Sequence, residues 1–196
     1  MINKKGSAFI VTLVVIGLLV LMGISFIAGN YNTLVKKDVN VENQWGKVQS
    51  AYERRLDLIP NIVATVKGSA NFEKETQTQI AALRSGVKAA KTVGDMNQVD
   101  GQISTLMSGI NVQIEAYPDL KSNANFLALQ DELAGTENRI KWERDNYNDF
   151  VKDYKSQVRI FPSNIVAGMF GFQESKWDMF AAKDEAADAV TVDFDN

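Results

Sequence analysis

A chain of 196 residues with no cysteine and no histidine has no thiol nucleophile, no Cys-rich zinc site, no Ser-His-Asp triad and no His- or Cys-ligated haem. A formal net charge of -3, without a basic stripe interleaved with aromatics, argues against nucleic-acid binding. Absence of cysteine suits either side of a membrane, so it does not fix the compartment.

Residues 8–28, AFIVTLVVIGLLVLMGISFIA, carry no charge, and their only hydroxyls are Thr12 and Ser25. As a helix this run reaches about 30 Å, the thickness of a bilayer's hydrocarbon core. It lacks the polar face of a soluble core helix, and we read it as one transmembrane span. A cleaved signal peptide is the main rival, but the run is long for one and shows no small-x-small cleavage site. A pilin-like leader would place an acidic residue where Val11 stands. Lys4 and Lys5 precede the run and Lys36 and Lys37 follow it, so the flanking charges nearly tie. They lean slightly to N-terminus inside and domain outside.

The expected organisation is a membrane anchor over residues 1–30, a helical domain over 31–180 and an acidic, disordered tail over 181–196. The domain is proline-poor and charge-rich, with no period-2 strand pattern, which predicts an all-α fold. From Tyr31 to Ala70 the apolar positions include Leu34, Val41, Trp45, Val48, Tyr52, Leu56, Ile59, Val63 and Val66. After the first gap they step by threes and fours, the spacing of a coiled-coil-like seam. Pro60 falls inside this seam, which predicts a kink or a helix restart.

A second helix is expected over 72–93, with Thr76, Ile80, Leu83, Val87 and Ala90 on one face. A third is expected over 96–117, through Val99, Ile103, Leu106, Ile110 and Ile114. The fourth is long, 120–160, with Phe126, Leu129, Leu133, Ile140, Tyr147, Val151, Tyr154 and Val158 on its seam. Thr136 with Glu137, and Glu143 with Arg144, form polar layers within it. Two long and two shorter helices with short connections imply an elongated antiparallel bundle. The first leaves the membrane, the short pair forms a hairpin at the far end, and the fourth returns. Phe161-Pro162 ends the fourth, and Ser163 is the expected cap of a short helix. The aromatics Phe161, Phe170, Phe172, Trp177 and Phe180 are then membrane-proximal. They either plug the bundle's base or touch lipid headgroups or a membrane partner.

Three polar clusters could carry chemistry. Arg54, Arg55, Asp57 and Asn61 surround the first proline. Glu115, Tyr117, Asp119, Lys121 and Asn125 surround the second. Thr136, Glu137, Asn138, Arg139, Arg144, Tyr147 and Asn148 lie in the last long helix. Acid–base work by carboxylates such as Asp57 and Glu137 is one reading. The plainer reading is a set of ionic layers that fix helix register. No Glu-x-x-His pair, EF-hand loop or phosphate-cradling glycine loop is present, so no cofactor is expected.

At these clusters the chain resembles the LemA family of bacterial membrane proteins. The matching text is YNTLV at 31–35, RRLDLIPNIVATVKG at 54–68, FEKET at 72–76, EAYPDLKSNANFLALQDELAGTENRI at 115–140, RDNYNDFVKDY at 144–154 and FPSNIVAGMFGF at 161–172. Leu56 stands where the family more often has alanine, and Asn71 precedes Phe72 where histidine is common. The resemblance implies a single-pass membrane protein with a helical bundle and no assumed enzymatic activity. A relative takes part in magnetosome formation. The family is often described with its domain in the cytoplasm, opposite to the charge lean, so orientation stays open. The expected function is an anchored scaffold that binds other membrane or envelope proteins, or itself. The alternative is a carboxylate- and arginine-based enzyme or ion-binding domain.

Overall fold

The computed structural model describes residues 4–65, 70–115 and 123–181. It is all-α, with five α-helices and no strand among the described residues. α1 runs without a break from Lys4 to Thr65, 62 residues or about 93 Å. The expected boundary near residue 30 therefore lies inside one helix. Its N-terminal part, from Phe9 to Phe26, presents its apolar side chains outward and, among the described residues, belongs to neither core cluster. Among the described residues, α1 is the one helix long and apolar enough to cross a membrane.

Pro60 lies within α1 and does not restart it. The flanking Leu56, Leu58, Ile59, Ile62 and Val63 are all buried, so packing holds the backbone helical across the proline. Pro60 still cannot donate to the Leu56 carbonyl one turn back. We expect Pro60→Ala to stabilise the domain by about 1–3 kcal/mol, because it supplies that donor and removes the ring clash. Urea unfolding of the two chains side by side checks this.

α2 (Ala70–Ala89) descends along α1, α3 (Val93–Glu115) climbs back, and α4 (Ala124–Arg159) returns the full length of the domain. The ion pairs Arg84–Asp57 and Lys88–Glu53 set α1 antiparallel to α2, and Arg54–Glu132 and Lys37–Asp153 set it antiparallel to α4. Gly86 faces Val99, where an added Cβ would sit 3.1 Å from Val99 Cγ2, so α2 and α3 approach closely there. The α2–α3 turn is closed by reciprocal capping: the Asp95 carboxylate accepts from the Lys91 and Thr92 amides, and the Asp95 amide donates to Thr92 Oγ1. Asn123 caps α4 by accepting from the Asn125 and Phe126 amides.

The core is the predicted seam. Val41, Trp45, Val48, Tyr52, Leu56, Ile59 and Val63 of α1 meet Ile80, Leu83 and Val87 of α2, Met96, Ile103 and Ile110 of α3, and Phe126, Ile140, Tyr147, Val151 and Tyr154 of α4. The α2–α3 turn reaches down only to Trp45, about 25 Å beyond Ala28 along α1. Below it the domain is narrower, with α1 and α4 joined by α5 (Ser163–Phe170) and a strap over 171–181.

Ser163 is the first residue of α5 and does not cap it. Its hydroxyl is buried and accepts instead from Gln157 Nε2 at 3.0 Å. Gly171 ends α5 in the left-handed region (φ 77°), which lets the Phe172 amide return to the Ala167 carbonyl. The strap is then tied to both long helices. Tyr154 donates to the Gln173 carbonyl, Trp177 Nε1 and Lys176 Nζ both donate to Asp38, and the Asn148 amide group makes a paired exchange with the Phe180 backbone.

Candidate functional site

Packing of α1, α3 and α4 brings a charged layer into the middle of the domain. Arg55 is buried and pairs with Asp100 at 3.6 Å and with Glu137. Arg144 pairs with the other Asp100 oxygen at 3.6 Å, and its guanidinium lies 4.3 Å over the Phe180 ring. Asp100 thus stands between two guanidiniums, and Glu137 supplies the second negative charge. The layer is neutral by pairs, the condition under which charges tolerate a low-dielectric interior.

Eleven residues nearer the N-terminus of α1, Gln44 forms a second buried polar contact with Glu143. Gln44 Nε2 donates to Glu143 Oε2 at 2.6 Å, and Arg139 holds the other carboxylate oxygen at 2.6 Å. Trp45 beside them donates its indole N–H to the Ala90 carbonyl at 3.1 Å, and Gln49 donates to the same carbonyl at 3.2 Å. The Trp45 ring lies 5.3 Å from Tyr147 and stacks on Phe180 at 6.0 Å and 14°. Trp45 is therefore the joint between the α2–α3 turn above and the strap below.

Three tyrosines border these layers. Among the described residues, Arg55 Nε is buried without a hydrogen-bond partner, and the buried Tyr52 hydroxyl has the Arg144 guanidinium near it. Burial, with Asp100 adding to it, pushes the Tyr52 phenol far above its ordinary pKa, against the pull of Arg144 and Arg55. Burial, then the Asp178 charge, does the same to Tyr147. Tyr154 is pushed up to about 12, first by burial and then by Asp38, with its bond to the Gln173 carbonyl acting in the opposite sense. Phenols held this way stay protonated at neutral pH and are unsuited to act as bases.

The sequence-derived candidates separate into groups. Arg55, Glu137, Arg144 and Tyr147 converge on the central layers. Arg54 and Asp57 form exposed ion pairs with Glu132 and Arg84, and Asn61 is exposed. Asp57 and Glu137 are held by different arginines and do not form a carboxylate pair. Glu115 is exposed at the end of α3, and Asp119 lies outside the described residues. The described residues contain no group of three or more acidic side chains placed to hold a metal.

The aromatic candidates also divide. Phe180 is 4% exposed and sits in the main core beside Trp45, well away from the span. Trp177 and Phe172 are half-buried against the bundle. Phe161 and Phe170 are 77% and 51% exposed. Asp100 and Gln44 are the partners that site reasoning passed over, whereas Asn148 of the third cluster is found holding the Phe180 backbone. Asp100 and Gln44 had a signal: each occupies a seam position, between Met96 and Ile103 and between Val41 and Val48.

The chain is 29% identical to Protein LemA of Metamycoplasma hominis over 142 residues, covering 71% of this chain and 64% of that protein. It thus spans somewhat less than two thirds of that relative's length. It is 22% identical over 187 residues to the magnetosome proteins MamQ 1 and MamQ 2 of Paramagnetospirillum magneticum, covering 81% of this chain and 69% of each. The family model described as LemA family matches residues 44–194, from Gln44 through the charged layer and the strap, and on that match the chain belongs to the LemA family.

Proposed function

We propose that this protein is a membrane-anchored helical scaffold that binds other envelope proteins, or a second copy of itself, along its stalk. The carrying observation is α1: one helix is both the apolar span and the central seam of the domain, so the domain is held rigidly at the lipid. The buried charges support holding over chemistry, because each is neutralised inside the fold. Trp142 and Phe150, exposed and two turns apart on α4, offer a partner two aromatic anchors within a polar surface. That two relatives are named magnetosome proteins supports a place within a larger membrane assembly.

Photo-crosslinking groups at Trp142 and Phe150 test the proposal in native membranes. We expect discrete crosslinked species at both positions, and their loss when the crosslinker at one is paired with aspartate at the other. Recovery of the chain solely as an uncrosslinked monomer overturns the scaffold reading.

A further inference from the structure

No charged residue occurs between Arg159 and Glu174, yet this stretch is on the surface. α5 buries Ser163, Val166 and Ala167, and the last two pack with Leu34 and Ile27 of α1. Its opposite side exposes Ile165 and Met169, with Phe170 and the preceding Phe161 beside them, all more than half exposed. A short helix facing water normally carries polar residues there; this one has only Asn164 and glycine among its exposed positions.

Position decides what covers that face. Ile27 belongs both to the end of the apolar run and to the cluster beneath α5. Tyr31, one turn on, contacts the Phe170 ring at 4.8 Å and the Phe172 ring at 5.8 Å. Of the polar side chains at this level, Asn30 and Thr33 bond back to the Phe26 and Gly29 carbonyls of their own helix, while Asn32 is exposed. The apolar surface of the span therefore continues sideways onto α5, at the depth where tyrosine marks a membrane interface. Lipid around the span also surrounds this face.

We propose that α5 and Phe161 form a second membrane contact, a foot lying in the interfacial layer of the bilayer that α1 crosses. The proposal rests on reading α1 as a span. The foot's inner face locks it to α1, and its outer face enters the lipid by about 5–10 Å. Two contacts, one axial and one lateral, then fix the tilt and rotation of the stalk.

The chain has no native cysteine, so a single introduced cysteine takes a nitroxide label at one defined position. Four variants of the full chain, Leu18→Cys, Trp142→Cys, Phe161→Cys and Met169→Cys, are labelled in vesicles of phosphatidylcholine and phosphatidylglycerol. Collision with oxygen reports lipid, and collision with a water-soluble nickel chelate reports solvent. We expect labels at 161 and 169 to favour oxygen several-fold over the label at 142, at a depth shallower than 18. Nickel access at 161 and 169 equal to that at 142, with 18 in lipid, overturns the foot and leaves the span. Shielding of 161 and 169 from both quenchers also overturns it, since a protein then covers the face. Nickel access at 18 removes the span, and the foot with it.

Discussion

Asp100→Ala is expected to cost about 3 kcal/mol, lowering the melting temperature of a domain this size by roughly 6–12 °C. Asp100 is the acid between Arg55 and Arg144, whose side chains are 7% and 14% exposed. Removing it leaves two guanidiniums facing each other with little water to screen them. Glu137 partly compensates Arg55, but its side chain is 46% exposed and stays solvated. Glu137→Ala should therefore cost only about 1 kcal/mol. The informative companion is Arg55→Met with Asp100→Leu and Arg144→Leu. Replacing the three buried charges, with the half-exposed Glu137 left solvated, restores stability to near the parent value, because breaking a buried ionic group costs more than replacing it with apolar side chains. Urea unfolding of the parent and these three variants measures this, and a cost for Asp100→Ala below about 0.5 kcal/mol would contradict mutual neutralisation.

Trp45→Ala should be worse still, about 3–5 kcal/mol, because it opens a cavity at the junction of three elements. The indole stacks on Phe180, touches Tyr147 and reaches the Ala90 carbonyl. Loss of the ring removes the surface that Phe180 packs on, so hydrogen exchange should rise at residues 177–181 together with the α2–α3 turn. Trp45→Phe separates packing from hydrogen bonding. It keeps a ring in place, and the Ala90 carbonyl retains Gln49 as a donor. Its cost should be about 1 kcal/mol, with the strap still protected. Equal exchange in all three chains would mean that Trp45 does not couple the turn to the strap.

The helical seams were readable because burial in a bundle repeats every three or four residues. Every described seam position named on α1, α2 and α3 is buried. On α4 Leu129, Leu133 and Val158 are only partly covered. The polar layers at Thr136 and at Glu143 were visible as breaks in the apolar seam. The identity of their partners was not, since periodicity tells which face turns inward and not what it meets. Arg55 could equally have met an acid on α2. The strap was the least legible part: it has no period, and Asn148 holds it through the Phe180 backbone, which any residue at 180 would supply. Proximity in sequence to Phe170 grouped Phe180 with the membrane end, whereas the strap carries it back up the bundle.

The unbroken α1 makes the anchor and the domain one mechanical body. About 55 Å of helix extends from Ala28 to Thr65, so a change of about 10° in the inclination of the buried end sweeps the tip through roughly 10 Å. With α1 read as a span and α5 as its foot, the two contacts reset the inclination together when the bilayer is thinner or thicker, and the outer surface of α4 moves with it. The stalk would work as a lever, turning a local property of the lipid into a displacement felt far from it.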